Sequence, residues 1–167
     1  MVAAARRAKV YPRFPLPLGE EGKGKGTNGQ PQGAYSRNFT AFAVLYLSDV
    51  LQERSGNFTV WPGSHRAYEA YFKEHGHEVL QEGRLSLGLP AEPVMVTARA
   101  GDLVVAHHAL MHGACPNESA HVRLAAIARL RHVGVEALGA DGYPDIWKEW
   151  DGVREVVAGE AVSRYNQ

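Results

Sequence analysis

The stretch that decides the fold is GDLVVAHHALMHGACPNESAHVR, which runs from Gly101 to Arg123. It begins with a tight turn and an apolar strand and then becomes abruptly polar, with four histidines and one arginine. Core packing alone does not account for that mixture. A neutral imidazole is a good ligand for iron, zinc or copper, and the planar fork of an arginine suits a carboxylate. The order of strand, His112, turn and Arg123 therefore indicates a metal enzyme whose co-substrate is a dicarboxylic acid.

The composition is that of one globular domain. The chain has 167 residues, of which 45% are hydrophobic and 22% are charged. Its 18 basic and 18 acidic residues cancel, and no apolar run approaches the length of a membrane span. A single cysteine, Cys115, excludes an intrachain disulfide framework. We therefore expect a cytoplasmic protein that acts on a small molecule, with neither nucleic acid nor a membrane as a partner.

The chain divides into two unequal parts. Residues 1–33 contain closely spaced prolines and glycines, which predict an irregular segment. That segment carries no GxxxxGK[ST] phosphate loop. Residues 34–167 contain the apolar runs and are predicted to form one domain.

Short apolar runs separated by turns favour a sandwich or jelly roll over a βαβ architecture. The Gly101-Asp102 turn predicts a hairpin between the strands on either side of it. Ser64 has the chemistry of a helix N-cap, and Trp147, Trp150 and Val153 stand at helical spacing. The predicted strands are Phe39–Leu47, Phe58–Trp61, Val94–Ala98, Leu103–Ala106 and Val122–Leu130, and the predicted helices are Ala67–Leu80 and Asp145–Val157.

Two segments together resemble the phytanoyl-CoA dioxygenase family of iron(II)- and 2-oxoglutarate-dependent oxygenases. They are GNFTVWPGSHR (Gly56–Arg66) and AGDLVVAHHALMHGACPNESAHVR (Ala100–Arg123). In order, they carry the family's PGSH, Gly-Asp turn, His-Gly, Asn-x-Ser and Arg, and the resemblance covers roughly residues 27–131. It implies a mainly β double-stranded β-helix, a cupin-like jelly roll with short flanking helices. It also implies Fe(II) and 2-oxoglutarate as cofactors and hydroxylation of a small molecule that the family name does not identify.

The same resemblance assigns the site residues. His112 matches the distal iron ligand, Arg123 matches the arginine that holds the 2-oxoglutarate carboxylate, and Ser119 is a further cofactor-binding candidate. The family's His-x-Asp should precede PGSH, yet no histidine occurs before His65. In the family's register, Gly19-Glu20-Glu21 occupies that motif, so Glu21 is the remaining metal-ligand candidate.

Other residues have both a functional and a structural interpretation. His107 and His108 alternate across a strand, so at most one of them lines the cavity. Trp61 is either cavity lining or core, and His65 is expected to make a structural hydrogen bond. A buried arginine needs a partner, and Asp102 is the protein carboxylate that would serve Arg123 in place of 2-oxoglutarate.

Three functions remain open from the sequence alone. The first is an oxygenase of the phytanoyl-CoA dioxygenase type. The second is a binding module or catalytically impaired pseudoenzyme on the same barrel, or a truncated or misread copy of such an enzyme. The third is a zinc protein that uses His107 or His108 together with His112.

Overall fold

A computed structural model describes residues 39–77, 79, 87–88, 91–160 and 162 of the chain. The described residues form two three-stranded antiparallel sheets with a few short helices, so the predicted mainly β jelly-roll class is confirmed. Residues 1–33 and the ligand candidate Glu21 lie outside the described residues.

The strands are β1 (Ala41–Tyr46), β2 (Phe58–Val60), β3 (Val94–Met95), β4 (Leu103–His107), β5 (His112–Ala114) and β6 (Ala125–Leu130). The α-helices are α1 (Ser64–His75), α2 (Val135–Leu138) and α3 (Val153–Val157).

The first sheet is built around β1, which pairs with β4 on one side and β6 on the other. Five of the six β1 residues are buried, as expected for an apolar run at the centre of a sheet. The register places Phe42 opposite Ala106 on β4 and opposite Arg129 on β6. Side chains of directly paired residues share one face of a sheet, so Phe42 and Arg129 emerge on the same side.

The second sheet has the order β3-β2-β5 and faces the first. Its register pairs Thr59 with Met95 and with Gly113, and Val60 with His112. The rings of Phe42 and Phe58 stack across the gap with centroids 5.9 Å apart. The core therefore lies between the two sheets, and it contains Phe42, Val44, Tyr46, Val50, Phe58, Ala98 and Ala106.

The prediction of a hairpin across Gly101-Asp102 is wrong. The turn itself forms, because the carbonyl of Arg99 accepts a hydrogen bond from Asp102 N at 3.0 Å, and the Asp102 carboxylate accepts one from Arg99 N at 2.7 Å. However, β3 pairs with β2 and β4 pairs with β1, so the turn carries the chain from one sheet to the other. Ala98 pairs with Val50 instead.

Helix α1 begins three residues earlier than predicted, and Ser64 is not its N-cap. Gly63 occupies that position with a φ of 79°, and no side chain caps the helix. The Ser64 hydroxyl instead accepts a hydrogen bond from Met111 N at 2.8 Å, which ties the helix to the segment before β5. At the other end the chain leaves the helix at Gly76, with a φ of 75°.

The predicted helix over residues 145–157 is only partly formed. Trp147 and Trp150 lie in turns, and the helix begins at Val153 after Gly152, whose φ is 78°. A left-handed residue at that point interrupts a continuous right-handed helix. In the described part of the chain, no helix is long and apolar enough to cross a membrane.

One buried amide organises the loop that leads into β2. Asn57 is fully buried, and its Nδ2 donates to the carbonyls of Gln52 at 3.0 Å and Val96 at 3.1 Å. Its Oδ1 accepts from Ser55 N at 2.9 Å. Because each of these backbone groups would otherwise need another partner, Asn57 connects the loop to the second sheet.

We predict that Asn57→Ala lowers the free energy of unfolding by roughly 3 kcal/mol, since it leaves buried backbone groups without partners. Denaturant unfolding of the purified protein measures this change. Gln52→Ala is the matched control: it keeps the backbone carbonyl that Asn57 uses, and its effect should stay within about 0.5 kcal/mol. Equal stability of the two variants would contradict the role given to Asn57.

Candidate functional site

His112 lies between the two sheets, at the start of β5. Its ring centroid is 4.6 Å from that of Phe42 and 5.5 Å from that of Phe58. Nδ1 is 2.8 Å from the carbonyl oxygen of Leu110, which only accepts hydrogen bonds, so Nδ1 carries the proton. Nε2 then keeps its lone pair, which is the tautomer that a metal ligand requires.

The electrostatic surroundings of His112 favour the neutral ring. Burial lowers its pKa below the usual value, and the positive charge of Arg129 lowers it further. The hydrogen bond to Leu110 opposes these effects only in part. Protons therefore compete less with a metal ion for Nε2 at neutral pH than they would at an exposed histidine.

Arg123 lies two residues before β6. Its side chain runs past Gly56, where an added Cβ would lie 3.5 Å from the Cβ of Arg123. The guanidinium charge acts on the hydroxyl of Tyr46, whose pKa is raised chiefly by burial and lowered in part by Arg123. Among the described residues no carboxylate is paired with Arg123, and Asp102 instead accepts a hydrogen bond from Arg99 N.

Ser119 lies in the turn between β5 and β6, and its hydroxyl is occupied within that turn. The hydroxyl donates to Asn117 Oδ1 at 2.7 Å and accepts from His121 N at 3.2 Å. Ser119 and Arg123 line an open groove of about 720 Å³ together with the loop at residues 48–52. His112 does not line this groove, so the groove and the metal-ligand candidate are separate features.

His107 uses both ring nitrogens in hydrogen bonds. Nε2 is 2.7 Å from the carbonyl of Ile146, and Nδ1 accepts from Ala109 N at 3.0 Å. The ring packs against Trp147 and Trp150, with centroids 5.2 and 5.4 Å away. Since neither nitrogen has a free lone pair, this geometry disfavours a zinc site that uses His107.

His108 and Trp61 were the other cavity-lining candidates. The ring of His108 lies 4.2 Å from that of His107 and 6.4 Å from that of Tyr143. Trp61 is buried, 9% exposed, directly after β2. Trp61 N donates a hydrogen bond to the carbonyl of Met111 at 3.0 Å, directly before His112 in the chain.

A metal centre is not assembled within the described residues. No group of three or more histidine, cysteine, aspartate or glutamate side chains is suitably placed there to hold an ion. His112 is therefore the single ligand candidate in the described part of the chain. Gly19 and Glu21, which occupy the remaining ligand positions by resemblance, lie outside the described residues.

Arg129 is a residue that the sequence analysis missed. It is the β6 partner of Phe42, and its guanidinium carbon lies 5.7 Å from the centre of the Phe39 ring. An arginine within the apolar run AAIARL was visible in the sequence. Its position next to His112 depends on the pairing of β6 with β1, which local patterns do not specify.

His65 makes a structural contact between α1 and the C-terminal segment. Its ring lies 6.2 Å from that of His107 and 5.8 Å from that of Trp147. The predicted hydrogen bond is not seen at Nδ1, which is buried without a partner among the described residues. Burial lowers the pKa of His65, Arg66 adds to that effect, and Glu69 opposes it.

We predict that this half-buried histidine makes the protein less stable in acid. A histidine whose pKa is lowered on folding binds more protons when unfolded, so its contribution is complete above about pH 6.5 and is lost as the pH falls towards the folded pKa. His65→Gln should therefore lose less unfolding free energy between pH 7.5 and 5.5 than the wild type. The exposed His121→Gln is the control and should match the wild type; an unchanged drop in His65→Gln would contradict the prediction.

The chain is similar to one known protein family and to several solved structures. The model of the family described as Phytanoyl-CoA dioxygenase (PhyH) matches residues 29–125, more than half of the chain. Two similar solved structures are HygX from Streptomyces hygroscopicus with iron bound (22% identity, TM-score 0.37) and the same protein with nickel, 2-oxoglutarate and hygromycin B bound (23%, 0.38). Each alignment covers 59% of this chain but only 43% and 41% of HygX, respectively, so the chain spans less than half of that protein's length. No curated protein matches the chain significantly.

Proposed function

Because the chain belongs to the phytanoyl-CoA dioxygenase family, we propose that it is an iron(II)- and 2-oxoglutarate-dependent dioxygenase-type protein that takes a small molecule between its two sheets. The observation that carries this proposal is the state of His112. Its ring is fixed between the sheets with Nδ1 protonated and Nε2 available, as a metal ligand requires.

Arg123 is proposed to hold the distal carboxylate of 2-oxoglutarate. A half-buried guanidinium that no described carboxylate neutralises favours an incoming anion, and its two parallel N–H groups match a carboxylate. It lines the open groove formed with the loop at residues 48–52, where a carboxylate can reach it, and its charge acts on the Tyr46 hydroxyl. Ser119 is a weaker candidate for the same ligand, because its hydroxyl is already engaged in the turn.

The described residues do not by themselves fit an iron ion. A site of two histidines and one carboxylate needs three ligands on one face, and His112 is the one candidate that the described residues offer. We propose Glu21 as the carboxylate, while Gly19 has no side chain that could replace the missing histidine. Weak iron binding and little oxygenase turnover follow for the chain as it stands.

This shortage of ligands favours one alternative, a pseudoenzyme that keeps the cavity and binds 2-oxoglutarate or a related acid without turnover. The test that separates the two is succinate release from 2-oxoglutarate in the presence of iron(II). We place the protein in the cytoplasm, where the buried thiol of Cys115 remains free.

For the arginine, we predict that Arg123→Gln weakens 2-oxoglutarate binding between about 10- and 150-fold, because a charge-assisted pair contributes roughly 1.5–3 kcal/mol. Titration calorimetry measures the affinity. Arg131→Gln is a matched control, since Arg131 is an exposed arginine paired with Glu136 at 2.8 Å. An Arg123→Gln protein that binds 2-oxoglutarate as well as the control would contradict the assignment.

For the metal, we predict that the double substitution Gly19→His with Glu21→Asp strengthens iron(II) binding by supplying the absent ligand. Iron(II) titration of both proteins, with succinate assayed in parallel, measures the change. Adding His112→Gln to the doubly substituted protein is the control and should remove the gain. Tight iron binding and rapid turnover by the unaltered chain would show that the assigned ligand set is wrong.

A further inference from the structure

The inner face of β6 carries a second arginine. Arg129 pairs directly with Phe42, and Phe42 stacks on Phe58 of the second sheet. The side chain of Arg129 therefore emerges on the face that looks into the space between the sheets. Arg123 lies six residues earlier in the chain, before β6 begins.

The surroundings of Arg129 suit an anion with an apolar body. Its guanidinium carbon lies 5.7 Å from the centre of the Phe39 ring, and Phe39 in turn lies 6.3 Å from Phe42. Arg129 is exposed, and no described carboxylate is paired with it. Phe42, the cross-strand partner of Arg129, has its ring centroid 4.6 Å from that of His112. A cation next to two aromatic rings therefore lies beside the candidate metal ligand.

The two arginines lie at opposite ends of β6, with Arg123 just before the strand and Arg129 near its end. Arg123 lies near Tyr46, whereas Arg129 lies near Phe39. Six residues along an extended strand separate their backbones by about 20 Å. This separation leaves Arg129 for a second ligand while Arg123 holds the co-substrate.

We propose that Arg129 binds the carboxylate of the substrate, and that the substrate class is a small monocarboxylic acid whose apolar or aromatic part lies against Phe39 and Phe42. One guanidinium balances one negative charge, which fits a carboxylate better than a phosphate monoester with a charge near −1.5 to −2. This inference rests on the proposed function and adds the substrate class to it.

The test uses the full chain without added metal and two probes of nearly the same shape, 3-phenylpropionate and 3-phenylpropionamide. Ligand-observed NMR titration should give at least a roughly ten-fold preference for the acid, as expected for a charge-assisted hydrogen bond. Arg129→Gln should remove that preference, Arg129→Lys should retain part of it, and the control Arg131→Gln should retain all of it. Circular dichroism checks that each variant is folded.

Several results would overturn the proposal. These are equal binding of acid and amide, no measurable binding of either probe by the wild type, or a preference that survives Arg129→Gln. Tighter binding of phenyl phosphate than of 3-phenylpropionate would overturn the carboxylate class.

A second arm separates substrate from co-substrate. Arg129→Gln should leave the affinity for 2-oxoglutarate within about two-fold, whereas Arg123→Gln should weaken it as predicted above. Loss of 2-oxoglutarate binding in Arg129→Gln would assign Arg129 to the co-substrate and overturn the proposal.

Failure of this inference can be distinguished from failure of the proposed function. The probe titrations require neither iron nor turnover, so a protein that releases no succinate still reports on Arg129. Conversely, succinate release with no preference for the acid probe would support the oxygenase and refute the substrate class.

Discussion

The buried hydroxyl of Tyr46 links the two sheets, and it shares the backbone carbonyl of Val96 with the buried amide of Asn57. The Tyr46 hydroxyl reaches that carbonyl from the first sheet at 3.4 Å, and Asn57 Nδ2 reaches it from the loop before β2 at 3.1 Å. The same hydroxyl accepts from Phe58 N at 3.3 Å. Buried polar groups are costly when unpaired, so these bonds restrict how the sheets can slide. The distance between His112 and Arg123 depends on that restriction.

Much of the fold follows from local sequence. An apolar run as long as residues 39–47 has to be buried, and it forms the central strand β1. The turn at residues 99–102 was also predictable. The strands on either side of it were wrongly predicted to pair with each other, because a turn signal does not specify which sheet each strand joins. Long-range pairing determines which sheet each strand joins, because β4 pairs with β1 whereas β3 pairs with β2. The C-terminal tryptophans had helical spacing, yet packing against His107 holds them in turns.

The candidate site likewise contains residues that local sequence motifs identify and one residue that only strand pairing reveals. His112 and Arg123 could be named from the order of motifs, since each follows a recognisable turn. Arg129 could not, because its neighbour Phe42 is 87 positions away along the chain and only the β1–β6 register brings the two together. Glu21 lies outside the described residues, and the roles assigned to His112, Arg123 and Glu21 all remain predictions.

The confinement of the His112 ring has an entropic consequence. Aromatic rings on two sides and the Leu110 carbonyl at Nδ1 leave the side chain little freedom before any ion arrives. Ordering a free side chain on binding costs about 0.5–1.5 kcal/mol, and here folding has already met that cost. The direction of Nε2 is therefore fixed by the fold before any ion binds. If an ion binds at Nε2, the direction of that one bond costs no further ordering of this side chain.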